Sequence, residues 1–136
     1  MIFMIYIDAK DKILGRLASS VAKMLLNGED VYVVNVEKAV VVGKPNATKR
    51  EYAEKRARGD PYHGPFFPRV ADRIFRRTVR GMLPYKTPRG MAAFKRLRAF
   101  ISIPDEVRGK EFMPVPGTEN KGQHKSMTLE KVSDGL

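Results

Sequence analysis

Residues 31–36 read Val-Tyr-Val-Val-Asn-Val, an almost uninterrupted run of β-branched and aromatic side chains. Such residues favour strands. A run without polar alternation is typical of a strand that is covered on both faces, as in a parallel sheet with helices above and below it. The stretch therefore predicts a buried strand inside an α/β fold.

The flanking segments complete a βαβ unit. Met4 to Asp8 is rich in Ile and Tyr and predicts a first strand, and apolar residues at helical spacing follow from Ile13 to Leu25. Asp11 is the expected N-cap of this helix, and Gly28 is its expected stop. A second short apolar run, Ala39 to Val42, predicts another strand. Strand, helix and strand in this order predict the α/β class.

Helices are predicted to fill the middle of the chain. Thr48 and Glu51 have the spacing of a capping box and predict a helix that ends near Gly59. Residues 60–68 contain three prolines and predict a loop. After an arginine-rich helix, Thr87 and Pro88 predict the start of a helix that runs to about residue 97, and residues 99–103 predict a last strand.

The C-terminal residues differ in composition from the rest. From Pro104 onward proline, glycine and charged residues dominate, and only residues 127–132 resemble a short helical turn. We therefore expect one α/β domain over residues 1–104 and an extended tail over residues 105–136, which lies on a partner or is disordered when free.

The positive charge is concentrated in one window. The chain has 26 Lys and Arg against 15 Asp and Glu, a net charge of +11. Residues 44–98 hold 16 of these bases and four of the acids, a balance of +12, which leaves 10 bases and 11 acids elsewhere. A charge placed in this way predicts a polyanionic partner, because neutralising phosphates releases condensed counterions.

Within that window, five arginines share one face of the arginine-rich helix. At about 100° per residue they occupy an arc of roughly 100°. We call this set the arginine stripe: Arg69, Arg73, Arg76, Arg77 and Arg80. The residues expected opposite them are Ala71, Ile74, Phe75, Thr78 and Met82. An ordinary solvated face is the alternative, but such faces commonly mix Glu with Lys. An all-arginine stripe favours bidentate binding of phosphates and hence a nucleic acid.

Glycine 81 follows the stripe directly and precedes the turn at Pro84. We expect either a positive φ angle at Gly81 or a close approach of an RNA backbone.

Motifs for catalysis or cofactor binding are absent from the sequence. Gly43-Lys44 fails as a phosphate-binding loop, because Lys38 stands where the first glycine belongs and Pro45 replaces Ser or Thr. The two histidines, His63 and His124, have no neighbouring cysteine and no ligand spacing. The chain has no apolar run of about 18 residues and no signal-peptide core. We expect no cofactor, no metal, no membrane, no small-molecule substrate and a cytoplasmic location.

Three motifs of this chain resemble the family of large-subunit ribosomal protein thirteen. They are Gly15-Arg16-Leu17-Ala18-Ser19, Val34-Asn35-Val36-Glu37-Lys38 and Arg77-Thr78-Val79-Arg80-Gly81-Met82-Leu83-Pro84. Residues 61–64 and 86–90 resemble the archaeal and eukaryotic branch. The resemblance covers residues 4–104 and implies a three-layer α/β/α fold with a mainly parallel four-stranded sheet. It also implies large-subunit ribosomal RNA and neighbouring ribosomal proteins as partners, a place on the ribosome, and no catalysis.

The predicted RNA-binding residues join the arginine stripe to its flanks. The rings of the 60–68 loop can stack on unpaired bases or fasten the loop to the core, and the sequence leaves both open. A small nucleotide-binding or RNA-modifying α/β enzyme is the alternative function, and a DNA-binding architectural protein is a third. The full set of predicted RNA-binding residues is Arg16, Lys44, Lys49, Arg50, Lys55, Arg56, Arg58, Tyr62, His63, Arg69, Arg73, Arg76, Arg77, Arg80, Gly81, Lys86, Arg89, Lys95, Arg96 and Arg98.

Overall fold

The fold is that of a computed structural model, which describes residues 4–42, 45–57, 70–118 and 126–134. The chain begins with a strand, a helix, two further strands and a second helix. The elements in chain order are β1 (Met4–Asp8), α1 (Leu14–Leu26), β2 (Asp30–Val34), β3 (Val40–Val42), α2 (Pro45–Ala57), α3 (Ala71–Gly81), α4 (Pro88–Lys95), β4 (Leu97–Ala99), β5 (Ser126–Thr128) and α5 (Leu129–Asp134).

The central sheet is parallel and has β2 in the middle, in the order β1-β2-β4. Its register pairs Ile5 with Val31 and Val31 with Leu97, so these three apolar side chains share one face. The predicted α/β class and the mainly parallel sheet are confirmed. Among the described residues this sheet has three strands rather than four, because β3 lies outside it and pairs antiparallel with β5 in a separate two-stranded ladder.

The chain leaves the central sheet at Asn35. This residue has a left-handed backbone with φ of 55°, and a 3₁₀ turn over Val36–Lys38 follows it. Asn35 Nδ2 donates a hydrogen bond of 3.0 Å to Asp8 Oδ1, which holds the turn against the end of β1. Strand β2 therefore ends at Val34, two residues before the predicted end.

Helix α3 is placed by packing on both the sheet and α1. Helix α1 contacts β2, α3 contacts β4, and the two helices contact each other, so both lie on the same face of the sheet. This agrees with right-handed crossovers that step across the sheet in one direction. Phe75, Ile74 and Val79 of α3 are fully buried in this layer. The opposite side of α3 therefore faces outward.

Several predicted helix boundaries are wrong for tertiary reasons. Asp11 has φ of 60° and its N–H donates to the carbonyl of Lys38, so α1 begins after Ile13 instead, with no side-chain cap. Thr48 is not a cap, because α2 already starts at Pro45 and Thr48 is buried. By contrast, the Thr87 cap is confirmed: Thr87 Oγ1 accepts a hydrogen bond of 3.2 Å from the N–H of Gly90.

The last strand is also shifted from its predicted position. Strand β4 covers Leu97–Ala99 rather than residues 99–103, because Leu97 pairs with Val31 and α4 ends at Lys95.

The described parts of the C-terminal segment pack on their own domain. Five apolar side chains after residue 104 are buried: Val107, Val115, Met127, Leu129 and Val132. The carbonyl of Thr118 accepts a hydrogen bond of 2.7 Å from the N–H of Ile13, and the N–H of Leu129 donates to the carbonyl of Ala39 at 2.8 Å. The expectation that this segment gains order only from a partner is therefore corrected for residues 105–118 and 126–134. The domain boundary at residue 104 stays a prediction.

We expect Val132→Ala to lower the free energy of unfolding of the protein by about 1.5 kcal/mol, because two buried methyl groups are lost at roughly 0.8 kcal/mol each. Thermal unfolding of the purified protein measures this. Lys131→Ala, at an exposed position of the same helix, is the control and should change little. Equal effects of the two substitutions would contradict the packing of α5 on the core.

Candidate nucleic-acid interface

Helix α3 separates its apolar and basic residues as the sequence predicts. Ala71, Ile74, Phe75 and Val79 are buried, whereas Arg73 and Arg77 are exposed. Two of the residues expected on the apolar side are not buried with them. Thr78 is half-buried and donates a hydrogen bond of 2.9 Å to the carbonyl of Ile74, and Met82 lies just after the helix with 43% of its surface exposed.

The arginine stripe has no acidic partner within the described residues. No carboxylate there lies within ion-pair distance of Arg73, Arg76, Arg77 or Arg80. Asp72 is in the first turn, where the helix dipole favours an acid, and its Oδ1 accepts from the N–H of Arg73. The positive charge of the stripe is thus not neutralised by the described parts of the chain.

Two stripe arginines rest on aromatic rings. The guanidinium carbon of Arg76 lies 4.7 Å from the ring centre of Phe94, and that of Arg80 lies 4.8 Å from the ring centre of Tyr85. Both arginines are half-buried, and the Nε atom of each is buried without a hydrogen-bond partner among the described residues. The sequence did not indicate either ring contact, because Tyr85 and Phe94 lie beyond the end of α3 and approach the arginines only in the folded chain.

Helix α4 meets the stripe through the contact between Arg76 and Phe94. Three predicted RNA-binding residues on α4 and the turn before it are exposed: Lys86, Arg89 and Lys95. Arg98 of β4 is also exposed, but it pairs with Tyr32 and alternates with the buried Leu97, so it lies on the opposite face of the sheet from Leu97.

The bases of α2 lie on a helix that contacts α5, and α5 in turn contacts α3. Lys49 and Arg50 are exposed there. Lys55 Nζ lies 3.4 Å from Glu51 Oε1 and 5.0 Å from the ring centre of Tyr52. Burial raises the pKa of the Tyr52 phenol, and Glu51 raises it further, so the ring under Lys55 is neutral at pH 7.

Two predicted RNA-binding arginines make contacts inside the protein. Arg96 Nη1 donates a hydrogen bond of 2.7 Å to the carbonyl of Leu25, near the C-terminal end of α1, where a cation is favoured. Arg16 is exposed, and its Nη1 lies 3.4 Å from the carbonyl of Gly117. Arg96 therefore has a structural role that the sequence did not indicate.

We expect Arg96→Ala to lower the free energy of unfolding by about 1.5 to 3 kcal/mol, the usual contribution of a hydrogen bond to a charged group. Arg98→Ala, two residues away and exposed, should leave the melting temperature nearly unchanged. Thermal unfolding of both variants checks this. Equal melting temperatures would show that the bond to Leu25 contributes nothing.

The two glycines near the end of α3 have different surroundings. Gly81 is the last residue of α3, its φ is not positive, and no atom lies within 4 Å of the position a Cβ would take. The predicted positive φ at Gly81 is therefore wrong. Gly90 in α4 is the crowded position, because a Cβ there would overlap the carbonyl group of Pro84.

Several predicted RNA-binding residues fall outside the described residues. These are Lys44, Arg58, Tyr62, His63 and Arg69, together with the side chain of Arg56. Their roles, and the place of Arg69 in the stripe, stay predictions.

Two other features are absent from the described residues. These residues contain no group of three or more His, Cys, Asp or Glu side chains that could hold a metal ion. They also contain no helix that is long and apolar enough to cross a membrane.

The fold and the basic surface define a class of small, strongly basic α/β proteins with a parallel sheet and unneutralised arginines on one outward helix face. The chain belongs to the ribosomal protein L13 family, whose model matches residues 3–106. This is a family of structural ribosomal proteins rather than enzymes.

Archaeal relatives match most of the chain. The large ribosomal subunit protein uL13 of Methanopyrus kandleri is 56% identical over 79% of this chain and 68% of its own length. The proteins of the same name from Archaeoglobus fulgidus and Methanococcoides burtonii are 50% and 49% identical, over 93% and 98% of this chain and 76% and 97% of their own lengths. These relatives agree with the predicted archaeal-type branch.

Proposed function

We propose that this protein is a structural component of the large ribosomal subunit that binds and stabilises large-subunit ribosomal RNA. The names of its relatives place them in that subunit. The observation that carries the proposal is the row of four stripe arginines, which face away from the core and have no carboxylate partner among the described residues. Such a row provides planar donors for phosphate oxygens.

The RNA contacts are divided between positioning and recognition. The stripe and the exposed bases of α4 bind phosphates, and these contacts fix the position of the protein on RNA. The 60–68 loop, including Tyr62 and His63, contacts unpaired nucleotides, since sequence-specific RNA recognition mostly uses such nucleotides. Lys44, Arg58 and Arg69 add further phosphate contacts. Neighbouring ribosomal proteins are the second class of partner, and the protein acts on cytoplasmic ribosomes without catalysing a reaction.

A binding experiment tests this function. The purified protein is titrated with in vitro-transcribed large-subunit ribosomal RNA of Archaeoglobus fulgidus, and with the small-subunit RNA and a duplex DNA as controls, at several salt concentrations. We expect the protein to prefer the large-subunit RNA. We also expect its affinity to fall steeply with salt: if the contacted RNA behaves as single strands, the logarithm of the affinity falls by about 0.7 for each neutralised phosphate when the salt concentration rises tenfold. Equal affinity for all three nucleic acids would contradict a specific place in the large subunit.

A further inference from the structure

The four described arginines of the stripe are not equivalent. Arg73 and Arg77 are exposed, and no ring contact holds either of them within the described residues. Arg76 and Arg80 are half-buried, and their guanidinium groups lie over the rings of Phe94 and Tyr85 at 4.7 and 4.8 Å. Within the described residues, one helix face thus carries two arginines without a ring contact and two that lie on rings.

A ring under a guanidinium limits its motion. An exposed arginine loses rotamer freedom when it binds a phosphate, and this loss opposes binding. A guanidinium that already lies flat on a ring has lost part of that freedom in the unbound protein, so less is lost on binding. Arg76 and Arg80 are therefore preorganised in a way that Arg73 and Arg77 are not.

The buried Nε atoms restrict how these two arginines can bind. A guanidinium can bind a phosphate side-on, by donating hydrogen bonds from Nε and one Nη, or end-on, by donating them from both Nη atoms. At Arg76 and Arg80 the Nε atom is buried and has no hydrogen-bond partner among the described residues. A ligand from outside cannot reach it. The Nη atoms have no partner in the described structure either and are not among its buried unsatisfied atoms, so the end-on edge is the one left for a ligand.

We propose that Arg76 and Arg80 form a fixed two-arginine phosphate site that binds the RNA backbone end-on, with Phe94 and Tyr85 as its positioning residues. The proposal rests on the proposed function and makes it finer. Residues 76 and 80 lie one turn apart on α3, so the two side chains leave the helix on the same face. The site sets where the backbone lies, whereas Arg73 and Arg77 add charge without fixing a geometry.

Removing a ring without changing any charge isolates the positioning role. We expect Tyr85→Leu to weaken binding to the Archaeoglobus fulgidus large-subunit RNA about two- to fivefold, the effect of one exposed cation–π contact. The slope of log affinity against log salt should stay at the wild-type value, because the number of cationic groups is the same. Tyr85→Phe keeps the ring and should bind as the wild type does. Tyr85 is 37% exposed, so the melting temperature should change little.

A second pair of variants keeps the proposal testable if Tyr85→Leu destabilises the protein. Lysine keeps the charge but lacks the planar fork. We expect Arg80→Lys to lower the RNA affinity several-fold more than Arg77→Lys, which serves as the matched control on the same helix. Equal losses for the two variants, or wild-type affinity in a folded Tyr85→Leu variant, would overturn the fixed site while leaving RNA binding intact. A wild-type protein that does not bind this RNA would overturn the proposed function itself.

Discussion

Replacing Arg73 and Arg77 with glutamate is expected to reduce the affinity for large-subunit ribosomal RNA by about a hundredfold or more while the protein stays folded. Each substitution replaces a cation near the RNA phosphates with an anion, and bringing like charges together costs several kcal/mol. Both side chains are exposed, so their replacement leaves the core untouched. The slope of log affinity against log salt should also fall, by about 1.4 for two single-strand phosphate contacts.

These two positions suit the experiment better than all four stripe arginines together. Arg76 and Arg80 are half-buried against rings, so glutamate there would disturb packing as well as charge. Arg108→Glu with Lys110→Glu is the matched control, because it changes the net charge equally at two exposed positions outside the basic window. The ion pair of Arg108 with Asp105 is exposed and therefore contributes little to stability. Equal losses of affinity for the two double variants would mean that net charge matters and the stripe does not.

Gly90→Ala is expected to be the most destabilising single-methyl change near the site. The added Cβ would overlap the backbone carbonyl carbon and oxygen of Pro84 and lie 2.8 Å from the N–H nitrogen of Tyr85. The Pro84 carbonyl cannot easily move, because it accepts hydrogen bonds from the N–H of Thr87 at 2.9 Å and from the Thr87 hydroxyl at 2.7 Å. Overpacking of this kind costs about 3 kcal/mol or more. The melting temperature should fall by roughly 10 °C.

Gly81→Ala is the control for this prediction. It adds the same methyl group in α3 at a position where no atom beyond the adjoining helix backbone lies within 4 Å. Alanine favours helix over glycine by at most about 1 kcal/mol, so the variant should be as stable as the wild type or slightly more stable. Thermal unfolding of both variants decides the matter. Similar melting temperatures for Gly90→Ala and the wild type would show that α4 and the turn at Pro84 separate at little cost.

The Gly81 control also bears on RNA binding. A weakened RNA affinity in a fully stable Gly81→Ala variant would support a close approach of the RNA backbone to this glycine. The structure excludes a positive φ angle at Gly81, so the close approach of RNA is the expected role that stays open.

Much of the candidate site follows from local pattern. The spacing of the arginines on α3 is enough to place Arg73 and Arg77 opposite Ile74 and Phe75, because a helix repeats every 3.6 residues whatever surrounds it. The pattern does not distinguish Arg76 and Arg80, which lie on rings, from Arg73 and Arg77. The rings that hold Arg76 and Arg80 come from beyond the end of α3, so their contacts depend on the turn at Pro84 and on how α4 packs.

The sequence alone was sufficient wherever the deciding interaction lies within a few residues. Strand β1 has the predicted bounds, and Thr87 caps α4 through the N–H of Gly90, three residues away. The charge of the basic window likewise needs no structure, since it is a property of composition.

Tertiary structure decided the features that depend on residues far apart in the chain. The C-terminal segment has too few apolar residues to form a core of its own, yet Val115 and Leu129 are buried in the core of the domain. The N–H of Ile13 finds its acceptor at Thr118, and Arg96 finds its acceptor at Leu25. A backbone donor or an isolated apolar side chain carries no local sign of a distant partner. Such distant groups meet only in the folded chain, because burial and hydrogen bonding lower the free energy only when both groups leave water together.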